Sequence, residues 1–140
     1  PVALGCGEQG RPDRVTSARE RLVRVRESLV RLRDETDADA SVLASSLEDV
    51  RSARADGTAD DEHDPEGSTL TSDWSRLFGL SATVAARGGE IQRAIERLDA
   101  GLYGSCTACG SAISAARLAA RPAAQHCIDC AQRLEESRRR

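Results

Sequence analysis

Four cysteines in the carboxyl-terminal third of the chain have the residue type and the spacing of a metal site. Cys106 and Cys109 form one C-x2-C pair, and Cys127 and Cys130 form a second pair after seventeen intervening residues. Each pair can aim two thiolates at one point, and two pairs complete a tetrahedron of sulfur ligands around Zn²⁺. Four thiolates leave no position for a reactive water, so the pattern predicts one structural zinc ion and no catalytic residues.

Two other uses of paired cysteines fit this sequence less well. Disulfides form in oxidising compartments, but the chain has five cysteines and shows no secretory signal. A thiol oxidoreductase that uses the C-x-x-C pairs is an alternative function. However, a thioredoxin-like redox C-x-x-C motif is expected near a βαβ pattern, and this sequence shows none. The fifth cysteine, Cys6, lies in a glycine-rich stretch and is predicted to be a free thiol. We therefore expect a cytoplasmic protein.

The composition predicts long helices in place of a thick globular core. Charged residues make up 31% of the 140-residue chain and aromatic residues 2%. Such a chain can bury narrow apolar seams between helices. The net charge of −3 argues against a general affinity for nucleic acid. No apolar run approaches the roughly 18 residues of a membrane span, so no membrane association is expected.

Two apolar stripes with heptad spacing predict two long helices that position the cysteine module. The first begins near Asp13 or Ser17 and becomes polar at Thr36 and Asp39, which predicts a bend or break between residues 34 and 39. The second predicts a helix of about 30 residues that ends at Gly101. Its nine positions are Leu70, Trp74, Leu77, Ser81, Val84, Gly88, Ile91, Ile95 and Leu98.

An acidic loop at residues 56–69 separates the two stripes. It carries six acidic residues, and Pro65 and Gly67 argue against a regular helix there. The predicted fold is therefore mainly α: a flexible segment at 1–12, an antiparallel coiled-coil hairpin at 13–100 with the acidic loop at its tip, and a four-cysteine zinc finger at 101–140. The finger is expected to close with a short helix from about Cys127 to Glu136, and the chain to be a monomer.

The stretch from Ile95 to Ala131 strongly resembles the DksA/TraR zinc-finger family of bacterial transcription regulators. The matching positions beyond the cysteines are Gly101, Tyr103, Gly104, Gly110, Ile113, Arg117, Leu118, Ala120, Arg121, Pro122 and Ile128. The resemblance implies a non-enzymatic regulator that binds RNA polymerase without contacting promoter DNA. It also implies that the coiled coil enters the secondary channel of the polymerase, through which nucleotides reach the active site.

The same resemblance assigns roles to residues outside the finger. The family's tip pattern, Asp-x-x-Asp-x-Ala, falls on Asp61 and Asp64, with Glu66 in place of the alanine. These aspartates are implied to act near the catalytic centre and to remodel open promoter complexes. A ppGpp site in the family is lined by three basic positions. Only Arg121 is kept, and the others fall on Glu90 and Ala131, which implies weak or absent ppGpp synergy.

Two further functions stay open at the level of sequence. A coiled coil of this length could serve as an adaptor that pairs with itself or with another helical protein. An acidic tip could also support transcript cleavage like that of the structurally analogous Gre factors, although the DksA/TraR family is generally not known for this activity.

Overall fold

The computed structural model describes residues 13–56 and 65–140, and within these ranges the fold is mainly helical. Helix α1 spans Asp13–Asp56 and helix α2 spans Pro65–Asp99. Two short helices follow in the zinc-finger region, α3 at Ala115–Ala120 and α4 at Ile128–Arg138. The predicted fold class is confirmed, and α4 lies where a terminal helix was expected. No helix in the described ranges is long and apolar enough to span a bilayer.

Helices α1 and α2 form an antiparallel hairpin, as their contacts show. Near the zinc-finger end, Arg26 of α1 pairs with Asp99 of α2. Further along, Thr36 lies opposite Gly88, and residues 46–50 of α1 share a groove with residues 73–77 of α2. Residue numbers therefore fall along α2 as they rise along α1. The heptad stripes predicted this arrangement, because pairing them buries both apolar faces within one chain.

The hydrophobic core lies at the zinc-finger end of the hairpin, which we call the base. Leu29, Ile91, Ala94 and Ile95 form the buried cluster. Partly buried residues from α1, from α2 and from the finger pack around it: Val25, Leu32, Leu98, Tyr103 and Ala123. Beyond the base only two helices contribute to the seam, so the stripe residues of both helices there are mostly half-buried.

Helix α1 is continuous through residues 34–39, so the predicted bend or break is wrong. Thr36 stays in the seam with 3% of its surface exposed. Its hydroxyl donates to the Leu32 carbonyl at 2.7 Å, which satisfies the buried polar group without interrupting the helix. A Cβ at Gly88 would meet the Thr36 methyl at 3.7 Å, an ordinary van der Waals distance, so Gly88 lies directly opposite Thr36 in the seam.

The connection between the helices is shorter than the predicted loop at 56–69. Helix α1 continues to Asp56, and α2 already begins at Pro65. Proline is tolerated at the first position of a helix, because its missing N–H would have no intrahelical partner there. Gly67 lies within α2 as well. The prediction that Pro65 and Gly67 exclude a helix is therefore wrong, whereas residues 57–64 lie outside the described ranges.

Helix α2 ends where the sequence predicted, in a glycine-dependent turn. Gly101 has φ +72°, a left-handed conformation that favours glycine. The Leu102 N–H donates to the Arg97 carbonyl at 2.8 Å, and the Gly101 N–H donates to the Leu98 carbonyl at 3.1 Å. This pair of hydrogen bonds is a Schellman motif, and it turns the chain from the hairpin into the first cysteine pair.

Candidate functional site

The four predicted cysteines lie together at the base of the hairpin. Their Sγ atoms all lie within 4.8 Å of one another, and Cys109 Sγ is 3.7 Å from Cys127 Sγ. Zinc–sulfur bonds of about 2.3 Å place the sulfurs of a tetrahedral site about 3.8 Å apart. The donor set and its spacing therefore fit one structural Zn²⁺, as predicted. When bound, the ion would join the two halves of the finger and stabilise its fold.

Short hydrogen-bonded turns place each cysteine pair. In the first pair, the Cys106 N–H donates to the Ser111 carbonyl at 2.7 Å, and the Gly110 N–H donates to the Cys106 carbonyl at 2.9 Å. Gly110 has φ +74°, so this turn requires glycine. In the second pair, Cys127 caps α4 and Cys130 lies in its first turn. A hydrogen-bonded turn therefore holds the first cysteine pair in place, and the start of α4 holds the second.

Hydrogen bonds around the sulfur cluster favour the thiolate form of the first pair. The backbone N–H of Cys127, assisted by those of Cys109 and Ala108, lowers the pKa of Cys106 to about 5. The hydroxyl and the N–H of Ser111 lower the pKa of Cys109. Zinc binds the thiolate and not the thiol, so these donors prepare both sulfurs for the metal.

Cys130, the buried thiol of the second pair, instead favours its protonated form. The Arg133 guanidinium lowers the pKa of Cys130. Burial and hydrogen bonds to the other three thiols outweigh this effect and raise the pKa to about 12. Four sulfurs at this separation cannot all be charged without a cation between them. The cluster therefore favours occupation by a divalent metal ion over four free thiolates.

Tyr103 and Arg97 connect the zinc finger to the hairpin. The Tyr103 ring packs against the Leu29 cluster, and its hydroxyl donates to the Pro122 carbonyl at 2.7 Å. Burial raises the pKa of Tyr103, an effect that nearby Arg97 partly opposes, so the phenol keeps its proton at neutral pH. Arg97 donates to the Leu102 carbonyl at 3.0 Å and also to the Ser105 carbonyl. These contacts therefore hold the finger against the base of the hairpin.

Arg121 lies on a shallow pocket of about 340 Å³ between the finger and α2. Its guanidinium is 4.0 Å from the Glu90 carboxylate, and Ala131 also lines the pocket. The structure therefore brings together all three positions that the family resemblance singled out. Further arginines from α2, the finger and α4 line the same pocket: Arg93, Arg117 and Arg138.

The predicted tip residues are Asp61, Asp64 and Glu66. Asp61 and Asp64 lie outside the described residues, and Glu66 lies in the first turn of α2. Arg26 pairs with Asp99 at the base, and the residues from Arg26 to Asp56 rise about 45 Å at roughly 1.5 Å per residue. The ends of both helices that flank residues 57–64 are thus remote from the sulfur cluster.

Sequence reasoning missed three features of the metal site. They are helix α3 with its Ser114 cap, the Ser111 donor to Cys109, and the Arg133 donor to Cys130. Helix α3 has six residues, which is too short for a periodic signal. Arg133 had a readable signal, because it stands three residues after Cys130 in a predicted helix and so shares its face.

The fold and the site together define a zinc finger that carries a long antiparallel helical hairpin. Comparisons with known proteins agree with this class. A family model described as the prokaryotic dksA/traR C4-type zinc finger matches residues 101–136. A protein from Aquifex aeolicus (strain VF5), described as uncharacterized, is 39% identical over 59 residues, which are 42% of this chain and 41% of that protein.

A solved structure resembles nearly the whole chain. Transcription factor DksA2 from Pseudomonas aeruginosa matches with a TM-score of 0.67 and 25% sequence identity, over 85% of this chain and 86% of that chain. Residues 101–136 are thus a zinc finger of the DksA/TraR type. The family match is confined to the finger, and the structural match extends the likeness to the hairpin.

Proposed function

We propose that this protein regulates transcription by binding bacterial RNA polymerase through its secondary channel, without enzymatic activity of its own. The observation that supports the proposal is the distance between the zinc site and the two helix ends that flank the acidic segment. The zinc site lies at one end of the hairpin, and the helix ends that flank residues 57–64 lie about 45 Å away at the other. The segment between them includes Asp61 and Asp64.

The shape of the hairpin suits a narrow channel. Two packed helices, each about 10 Å across, can enter a pore that a globular domain of this mass could not. Carboxylates at the end of such a rod would reach a cavity that holds Mg²⁺ and basic side chains, where negative charge is attracted. Asp61 and Asp64 are proposed to act there on the open promoter complex. Promoter DNA itself needs no contact with this protein.

Site-specific crosslinking tests this proposal directly. A photoreactive amino acid at position 64 is expected to crosslink to polymerase peptides near the catalytic centre. The same group at position 82, on an exposed part of α2 between the two ends, is expected to mark only the outer channel. The absence of polymerase crosslinks from both positions, in a protein with normal zinc content, would contradict the proposal.

We also propose that ppGpp adds little to the action of this protein. Glu90 faces Arg121 at 4.0 Å across the pocket, and Ala131 offers no charge. A carboxylate at this position repels an anionic ligand and competes for the guanidinium. Calorimetry on the assembled polymerase complex is expected to give the same ppGpp affinity with and without this protein. An affinity raised several-fold would contradict the prediction.

The monomeric state and the cytoplasmic location are parts of the same proposal. The hairpin pairs its two apolar stripes within one chain, so it needs no second copy to bury them. Sedimentation is expected to give a monomer, whereas a stable dimer would favour the adaptor function. The oxidoreductase alternative requires free thiols, and a tightly held zinc ion would leave none among the four finger cysteines.

A further inference from the structure

Arg133 contacts the metal site at a position that the four-cysteine pattern does not assign. Its Nη2 atom donates to Cys130 Sγ at 2.9 Å. Cys130 has 3% of its surface exposed, so this sulfur has little access to water. We propose that Arg133 is a positioning residue of the zinc site. It fixes the orientation of the Cys130 thiolate and offsets the negative charge that four thiolates leave around the divalent ion.

The local geometry explains why this arginine reaches the sulfur. Cys130 and Arg133 lie three residues apart in α4, which spans Ile128–Arg138. Residues at this spacing share one face of a helix. Side chains of an α-helix also lean towards its amino terminus, so a long side chain at position 133 covers the turn that contains Cys130. The contact therefore needs no unusual backbone conformation.

The charge on the donor distinguishes this hydrogen bond from the others around the cluster. Cys106 accepts from the backbone N–H groups of Cys127, Cys109 and Ala108, and Cys109 accepts from Ser111. These donors are neutral, whereas the guanidinium at position 133 is permanently charged. A charge-assisted hydrogen bond to a buried thiolate is stronger than one from a neutral donor. If the guanidinium is lost, the buried sulfur lacks this donor, and water cannot reach the sulfur to replace it.

Zinc affinity tests the proposal. The variant Arg133→Gln keeps a good helix former but removes the charge. Its zinc dissociation constant, measured on the full chain in competition with a chelator, is expected to rise about 10- to 100-fold. Arg133→Lys is expected to recover part of the loss, because it keeps a charged donor. The matched control is Arg138→Gln, which makes the same charge change in the last turn of the same helix and is expected to leave the affinity unchanged.

Substitution of cobalt for zinc gives a spectroscopic measurement, the sulfur-to-cobalt charge-transfer band, that a purely structural role of Arg133 would not change. When the positive donor is lost, the sulfur-to-cobalt charge-transfer band is expected to shift to longer wavelength in Arg133→Gln and to stay in place in Arg138→Gln. Unchanged zinc affinity and an unchanged band in Arg133→Gln would overturn the proposal, as would an equal loss of affinity in Arg138→Gln. If Arg133→Gln does not fold, Arg133→Lys decides: a zinc affinity below that of Arg138→Gln supports the role, and an affinity equal to that of Arg138→Gln overturns it.

Discussion

At the scale of single residues, the cysteines carry both the chemistry and the stability of the finger. The buried cluster of the finger consists of Cys106, Ile113 and Cys130, with Leu118 and Cys127 packed against it. Three of these five residues are metal ligands. So small a cluster has little apolar surface to stabilise it, and the metal must supply much of the folding free energy, as in other small zinc modules.

Loss of one ligand is therefore expected to unfold the finger and to spare the rod. In Cys109→Ser, zinc content should fall well below one per chain, while far-UV circular dichroism keeps most of its helical signal from α1 and α2. Cys6→Ser, which lies outside the pattern, serves as the control and should retain zinc. A Cys109→Ser protein with a full complement of tightly bound zinc would contradict the four-ligand assignment.

The tip aspartates are expected to act on transcription and not to anchor the protein. Replacing Asp61→Asn together with Asp64→Asn removes the charge with little change in size. Polymerase binding should persist, and the effect on open promoter complexes should be lost. The double change Asp37→Asn with Asp39→Asn removes equal charge from an exposed side of α1 and should leave both properties intact. Loss of binding in the tip variant would show that the tip is an anchor.

At the scale of elements, the hairpin is supported unevenly along its length. The base has a buried cluster to which α1, α2 and the finger contribute, whereas the distal half has only the two-helix seam with Leu43, Leu47, Trp74 and Leu77 half-buried. Fewer buried contacts mean a lower free energy of local opening. The rod is therefore stiffest where it meets the finger.

The Gly88 position offers a test of the seam. A Cβ there would stand 3.7 Å from the Thr36 methyl, an ordinary van der Waals distance. Gly88→Ala is therefore expected to stabilise the protein by about 1 kcal/mol through the helix propensity of alanine. Thermal unfolding of the zinc-bound protein measures this change.

Gly101→Ala is the matched comparison, because Gly101 has φ +72°. This change is expected to destabilise the protein by about 1 kcal/mol or more, since alanine is strained in that conformation. A lower unfolding temperature for Gly88→Ala would mean that the helices cannot accommodate the added methyl group at this crossing.

At the scale of the whole molecule, the base and the tip are expected to respond differently to salt. The sequence between α1 and α2 is rich in acidic residues, whereas the finger exposes apolar side chains such as Leu102 and Ile128 beside its charges. Salt screens exposed charges over about 8 Å at physiological ionic strength and leaves apolar contacts intact.

Rising sodium chloride should therefore weaken the effect on transcription before it weakens polymerase binding. Transcription assays and binding assays over the same salt series measure both quantities. In the variant with Asp61→Asn and Asp64→Asn, this extra salt dependence of the transcription effect should disappear. A parallel fall of both quantities in the unaltered protein would show that the tip makes no separate electrostatic contribution.

Features that depend on local periodicity and on ligand chemistry were predictable from the residues alone. The second stripe, from Leu70 to Leu98, correctly predicted which face of α2 is turned away from solvent, because heptad spacing is a property of the helix alone. The two cysteine pairs gave the zinc site, because ligand type and spacing are nearly sufficient for a tetrahedral centre. Gly101 likewise gave the end of α2.

Features that depend on neighbours distant in sequence were not predictable before the folded chain was known. The polar residue Thr36 predicted an interruption of the first helix, but the seam opposite Gly88 accommodates it and the Leu32 carbonyl accepts a hydrogen bond from its hydroxyl. The packing of Tyr103 on the Leu29 cluster and the short helix α3 likewise have no periodic signal. Long-range packing chooses among local conformations that are close in energy, and a single sequence does not show which residues will pack together.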